Sequence, residues 1–314
     1  MARYVVTRVV QLVIITFIIS ILTFLLVHLL PGDPAVVILG PNDTPQAHAQ
    51  VIAQLGLNKS LPLQYWTWVS NVVHGNLGQS FLTHQTVTNA LSNAVPIDVE
   101  LIILSQLIAL AVAIPLALVA ALRPNRLFDR AATTSSFAML SIPAFVAGPL
   151  LVLIFAVHAH AVPATGFVRL SQGLGPNLKS AILPSVVLAI GSIAVYFRLL
   201  RADLIATLQE DFVTMARAKG MSTPYILVRH VLRPSSFSLL ASAGLAIGTL
   251  FTGAFVVEAL FQLPGIGYVL VNAIYSNDYL LVQGMALVAA IAFVVVNFGA
   301  DLTLTFLDPR VRRA

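Results

Sequence analysis

The sequence predicts an all-α membrane protein of six transmembrane helices. Three observations carry that prediction: too few charges for a water-facing surface, apolar runs of bilayer length, and basic residues gathered on alternate connecting segments. Charged side chains make up 9% of the 314 residues and apolar ones 58%, with a mean hydropathy of +0.93. A soluble domain carries roughly 25% charged residues, because its surface must face water. Most of the surface of this chain therefore faces lipid.

A helix crosses the ~30 Å hydrocarbon core with about 20 apolar residues. Six runs without Asp, Glu, Lys or Arg meet or approach that length: residues 9–30, 101–122, 133–157, 180–197, 234–257 and 279–300. The first is longer than the ~7–15-residue apolar core of a signal peptide, and no small-residue cleavage site follows it, so it reads as a retained span. The fourth is the shortest and is bounded by Lys179 and Arg198.

Basic residues set the expected orientation. With the N-terminus in the cytoplasm, 14 of the 17 basic residues fall inside: Arg3, Arg8, Arg123, Arg126, Arg130, Arg198, Arg201, Arg217, Lys219, Arg229, Arg233, Arg310, Arg312 and Arg313. Lys59, Arg169 and Lys179 alone fall outside, which places both termini in the cytoplasm. The expected division is a cytoplasmic N-terminus and first span (residues 1–30), an extracytoplasmic insertion (31–97), a transmembrane core of five helices (98–307) and a basic tail (308–314).

Two connecting segments predict structure of their own. Within the insertion, Thr44-Pro45 supplies an N-cap and first-turn proline and Gly56 a stop. A second short helix runs from Pro62 to His74 and ends at Gly75; Leu63, Trp66 and Val73 share one face, and Trp66 and Trp68 read as interface anchors. On the cytoplasmic side, residues 199–233 include a helical pattern over Asp211–Lys219 with Phe212, Met215, Ala216 and Ala218 on its apolar side. The pattern breaks at Gly220, and Ser222-Thr223-Pro224 opens a second helix that continues through His230. Such a helix–turn–helix offers apolar and basic side chains to a docking protein.

Several chemistries are excluded. The chain has no cysteine, hence no disulfide and no thiolate metal site. Its +5 charge is dispersed over short loops without the aromatic-rich basic patch of a nucleic-acid binder. No phosphate-binding G-x-x-x-x-G-K-[ST], H-E-x-x-H or G-x-S-x-G occurs. His158 and His160 lack further ligands nearby and read as polar residues at a helix end. Asp98, Glu100, Glu258 and Asp301 all sit near expected membrane boundaries, whereas proton-coupled carriers place several ionisable groups at mid-membrane. Glu258 is the one that could face a pathway, because it precedes a Pro-Gly turn.

Taken in order, further segments resemble one family. Asp211-Phe212-Val213-Thr214-Met215-Ala216-Arg217-Ala218-Lys219-Gly220 resembles the cytoplasmic signature loop of binding-protein-dependent ABC permeases. Its A-R-A-K-G portion is similar to that of the dipeptide/oligopeptide group, which includes nickel permeases; Thr214-Met215-Ala216 stands where the general signature has E-A-A. Leu30-Pro31-Gly32-Asp33-Pro34, Gly75-Asn76-Leu77-Gly78-Gln79-Ser80, Glu258 with Pro264-Gly265-Ile266-Gly267, and Asp308-Pro309-Arg310-Val311-Arg312 resemble stretches of the B-type subunit in the same order.

The resemblance implies a type I importer permease that carries no cofactor and no metal. Its partners would be a second, homologous permease, two cytoplasmic ATPases that bind ATP and Mg, an extracytoplasmic binding protein and the surrounding lipid. It assigns ATPase coupling to Asp211, Met215, Ala216, Arg217, Ala218, Lys219 and Gly220. A gate or binding-protein contact falls to Asp33, Glu258, Pro264 and Gly265, with a plain turn at Asp33 as the simpler role. Peptide, nickel and glutathione-type permeases share these motifs. A stand-alone secondary transporter and a membrane-embedded enzyme are the competing classes.

Overall fold

The computed structural model describes residues 2–29, 33–54 and 56–307. Residues 30–32 of the Leu30–Pro34 motif and the whole of the closing 308–312 motif lie outside the described residues. The helices are α1 (Ala2–Leu29), α2 (Pro34–Leu39), α3 (Pro45–Gln54), α4 (Leu61–Val73), α5 (Val87–Leu122), α6 (Leu127–Ser141) and α7 (Ala144–Leu151). There follow α8 (Leu174–Thr207), α9 (Asp211–Ala218), α10 (Thr223–Ile226), α11 (Leu232–Ser235), α12 (Phe237–Phe261), α13 (Ile266–Tyr275) and α14 (Tyr279–Leu307). Among the described residues there is no strand, only an isolated bridge between Gln79 and Thr86.

Three helices are long and apolar enough to cross a membrane alone: Val87–Leu122, Leu174–Thr207 and Tyr279–Gly299; bent helix pairs raise the count to six. The expected second, third, fourth and sixth spans fall in α5, the α6–α7 pair, α8 and α14; the first falls in α1, whose Val9–Leu25 is a shorter apolar helix outside those six, and the fifth in α12, which two of the bent pairs share. The second and third differ from the expectation as well. The second begins at Val87, so Asp98 lies inside a helix, where it is buried. The third is not one straight helix: α6 and the Ala144–His158 segment meet at a bend of 106°. Pro143 causes the break, because the residue before a proline is driven from the helical region. Ile142 accordingly takes φ −90°, ψ 113°.

The chain divides into two compact units, Met1–Ile97 with Pro264–Val295, and Asp98–Leu263 with Val296–Ala314. The core of the second unit is a ladder of small residues, Ala109, Ala113, Ala117, Ala120 and Ala121 on α5. It packs with Tyr196, Phe197, Leu200 and Leu204 of α8. In lipid, where neighbouring helices gain little from water exclusion, small side chains let backbones approach closely enough for dispersion to hold them. Polar cross-links add direction: the Tyr196 hydroxyl donates to Gln106 Oε1 at 2.7 Å, and Asn177 Nδ2 to Glu100 Oε1 at 2.7 Å. Near the other end of α8, Arg201 grips Asp129 of α6 with two bonds, Nε to Oδ1 and Nη2 to Oδ2 at 2.6 Å.

In the first unit, α1 and α4 pack through aromatic rings. Phe24 lies 5.4 Å from Tyr65 and 5.9 Å from Trp68, and the hydroxyls of Ser20 and Tyr65 are 2.8 Å apart. Trp68 is thus part of this packing, whereas Trp66 on the opposite face is 69% exposed. Leu63 and Val73 are exposed with it. The loop after α4 docks on the start of α14, where the Ser80 hydroxyl donates to the buried Asp278 carboxylate. Gly284 permits this approach: a Cβ there would lie 2.8 Å from the Leu77 carbonyl and 2.7 Å from Val87.

Candidate coupling segment and its relatives

The expected helix–turn–helix is present as α9, a turn, and a second helical segment over Thr223–Ser235 whose residues Leu227–Val231 are π-helical. α9 suits its length. Asp211 stands in the first turn and Arg217 in the last, each facing the helix-dipole end that favours its charge. Ser222 precedes the second helix with extended backbone, and Pro224 occupies its first turn.

The turn itself is a paired glycine cap. The Gly220 N–H donates to Arg217 O at 2.9 Å, and the Met221 N–H reaches back to Ala216 O at 3.3 Å. This pattern requires a left-handed residue between them, and Gly220 has φ +77°. A Cβ at Gly220 would meet nothing within 4 Å. Within this chain, the positive φ calls for glycine at this position, and no neighbouring atom does.

The faces of α9 differ from the expectation. The residue turned into the core is Val213, fully buried, with Ala216 packed partly against the same cluster. Phe212 and Met215 are 43% and 60% exposed. Ile226, Leu227 and Val231 anchor the second helix in the core, while Tyr225 and Val228 stand outside at 53% and 59%. The segment therefore has a buried base and an apolar exposed crown. Arg217, Ala218, Lys219 and Gly220 are exposed beside that crown, as is Asp211. Sequence reasoning missed the base, because the apolar residues of an eight-residue helix fit more than one face. It also missed the Asp129–Arg201 pair in the same unit. The only signal was an isolated acid, Asp129, among the basic residues of that connecting segment.

The expected gate residues are dispersed. Asp33 N-caps α2, accepting the Ala35 N–H at 2.8 Å, and also faces His48 Nε2 at 3.2 Å. Its capping geometry is that of a turn residue. Glu258, in the last turn of α12, is fully buried, and its carbonyl receives the Leu263 N–H at 2.9 Å. The strained residue of the following turn is Gln262, left-handed at φ 52°. Gly265 has φ −82°, ψ −178°, a conformation open to any residue, and precedes α13. Pro264 is exposed and Gly265 buried.

Residues 113–313 match the family described as "Binding-protein-dependent transport system inner membrane component", and residues 1–102 match its N-terminal companion. The chain belongs to this family. The permease is 34% identical over 312 residues to a probable peptide ABC transporter permease protein of Sinorhizobium fredii, covering 99% of this chain and all of the relative. It is likewise 34% identical over 312 residues to a putative peptide transport system permease protein of Brucella abortus, covering 99% of each. A nickel import system permease protein of Staphylococcus aureus is 35% identical over 308 residues, 97% of this permease and 90% of that protein. The permease is a multi-pass membrane subunit of the ABC transporter kind, and the all-α class expected from composition holds.

Proposed function

We propose that this chain is the B-type permease subunit of an ATP-driven bacterial importer for dipeptides or oligopeptides. It forms half of a pathway with a second, homologous permease in the cell membrane, both termini being cytoplasmic. Two ATPases, which bind ATP and Mg, dock from the cytoplasm, and an extracytoplasmic binding protein delivers the solute. The resemblance to peptide permeases in Sinorhizobium and Brucella supports the substrate class. The similarity to a nickel permease keeps nickel as the second reading.

The observation that carries the coupling role is the apolar crown on a buried base. Phe212, Met215, Tyr225 and Val228 are each exposed along residues 211–231, while Val213, Ile226, Leu227 and Val231 join the core cluster of α5 and α8. Apolar side chains held out on a stiff support are suited to a groove in a partner protein. Packing there outweighs ion pairs from Arg217 and Lys219, since exposed pairs contribute about 0–1 kcal/mol.

The test is Gly220→Leu. A left-handed leucine costs about 1–2 kcal/mol, enough to reshape the turn without unfolding the unit. The variant is expected to insert into the membrane normally and to lose most ATP-dependent peptide uptake. Uptake at the normal rate would remove Gly220 from the coupling role.

A further inference from the structure

Within the first unit, a cavity of about 650 Å³ opens at the end of α1, walled by α4, the 75–86 loop and the first turns of α14. Small-molecule sites commonly occupy ~300–1,000 Å³. Part of the wall is aromatic, with Phe24, Trp68, Phe81 and Tyr279. The charged and titratable side chains of the lining are Lys59, His28, His84 and Tyr279, and the described lining includes no Asp or Glu.

The neighbouring acids are already engaged. Asp278 accepts the Ser80 hydroxyl, and Asp33 caps α2. His28 is also committed, with Nδ1 at 2.8 Å from Phe24 O and Nε2 at 3.0 Å from Gln64 Oε1. Gln64 is in turn locked by donating to Leu57 O and Lys59 O. That part of the wall is preorganised. One buried side-chain donor of the described lining is left over: Gln283 is 5% exposed, and its Nε2 is buried with no hydrogen-bond partner among the described residues. A buried donor without an acceptor bears its full desolvation penalty, which a ligand oxygen would relieve.

We infer that this cavity binds a small molecule bearing a carboxylate and an apolar side group. Lys59 supplies the charge, Gln283 an amide donor, and Trp68 with Phe81 a surface for the apolar part. The C-terminal portion of a short peptide has this chemistry. Only that identification rests on the proposed function; the carboxylate site itself does not.

The experiment uses the full chain, purified with its co-expressed partner subunits in nanodiscs, and radiolabelled Ala-Phe or its C-terminal amide in equilibrium dialysis. Ala-Phe should bind, and the amide at least about tenfold more weakly, the size of one lost charge-assisted hydrogen bond. Lys59→Met, at an exposed position, should weaken Ala-Phe binding by a similar factor, and Gln283→Leu should weaken it with no fall in melting temperature. Equal binding of dipeptide and amide overturns the inference, as does unchanged binding in both variants. A phospholipid retained by the wild type and lost from Lys59→Met, with no Ala-Phe binding, also overturns it. Binding that follows this pattern without ATP-dependent uptake would instead count against the import reading alone.

Discussion

The turn at Gly220 and the loop that starts at Gly75 begin alike and are secured differently. Each follows a helix closed by two reaching-back hydrogen bonds around a left-handed glycine, Gly75 to Val72 and Asn76 to Asn71 in the second case. From there the Gly220 segment is held by apolar side chains, with Val213, Ile226, Leu227 and Val231 sunk in the core of its unit. The Gly75 loop is held by polar groups: Asn76 Oδ1 accepts the Gly78 N–H at 3.1 Å, Ser80 bonds Asp278, and the Ser80 N–H donates to Gln85 O at 2.9 Å. Apolar anchoring leaves the outward face of a segment free for a partner. Polar anchoring needs directed contacts and binds the loop to one neighbour, here the start of α14.

Substitutions can break this contrast, and the largest effect is expected in the unit that carries the Gly220 segment. Asp129→Ala leaves the Arg201 guanidinium without the carboxylate that receives both its bonds. Breaking a buried pair costs about 3 kcal/mol at the lower end of the range, apt here because the Arg201 side chain keeps 22% exposure. A clear drop in melting temperature in detergent is the expected reading; an unchanged one would mean that apolar packing alone holds α6 to α8. Gly284→Leu strikes the other region by forcing a side chain against the Leu77 carbonyl. Overpacking of this kind costs about 1–3 kcal/mol, and protease cutting within residues 75–86 should speed up while the Gly220 segment stays protected. Equal protection of both regions would refute the separate anchoring. The smallest effect is expected at Asp33→Ala, which removes one N-cap worth about 1 kcal/mol. Unaltered transport and binding-protein docking in that variant would fix Asp33 as a turn residue; loss of docking would restore it to the binding-protein contact.

These regions also differ in how far the sequence disclosed them. The bilayer-length runs and the turns at Gly56, Gly75 and Gly220 were legible, because hydropathy and left-handed backbone each act over a few neighbouring residues. The bend at Ile142-Pro143 was hidden inside an apolar run, although Pro143 was in plain view. The early start of α5 was concealed by Asn89, Asn93 and Asp98, which look like loop residues until their tertiary surroundings are known. The Asp129–Arg201 and Ser80–Asp278 bonds join residues far apart in the chain, a pairing that no local pattern encodes. The buried base of α9 was obscured for a simpler reason: an eight-residue helix is too short for periodicity to choose between Val213 and its neighbours.

The π-helical stretch Leu227–Val231 lies between the exposed Tyr225 and the long helix α12. A π turn closes its bonds one residue later than an α turn, and one residue of α-helix corresponds to about 100° of rotation. The stretch thus holds a spare residue of winding. Tightening it to regular α-helix would turn the α10 end of the segment about its own axis like a screw, against the hold of the buried Ile226.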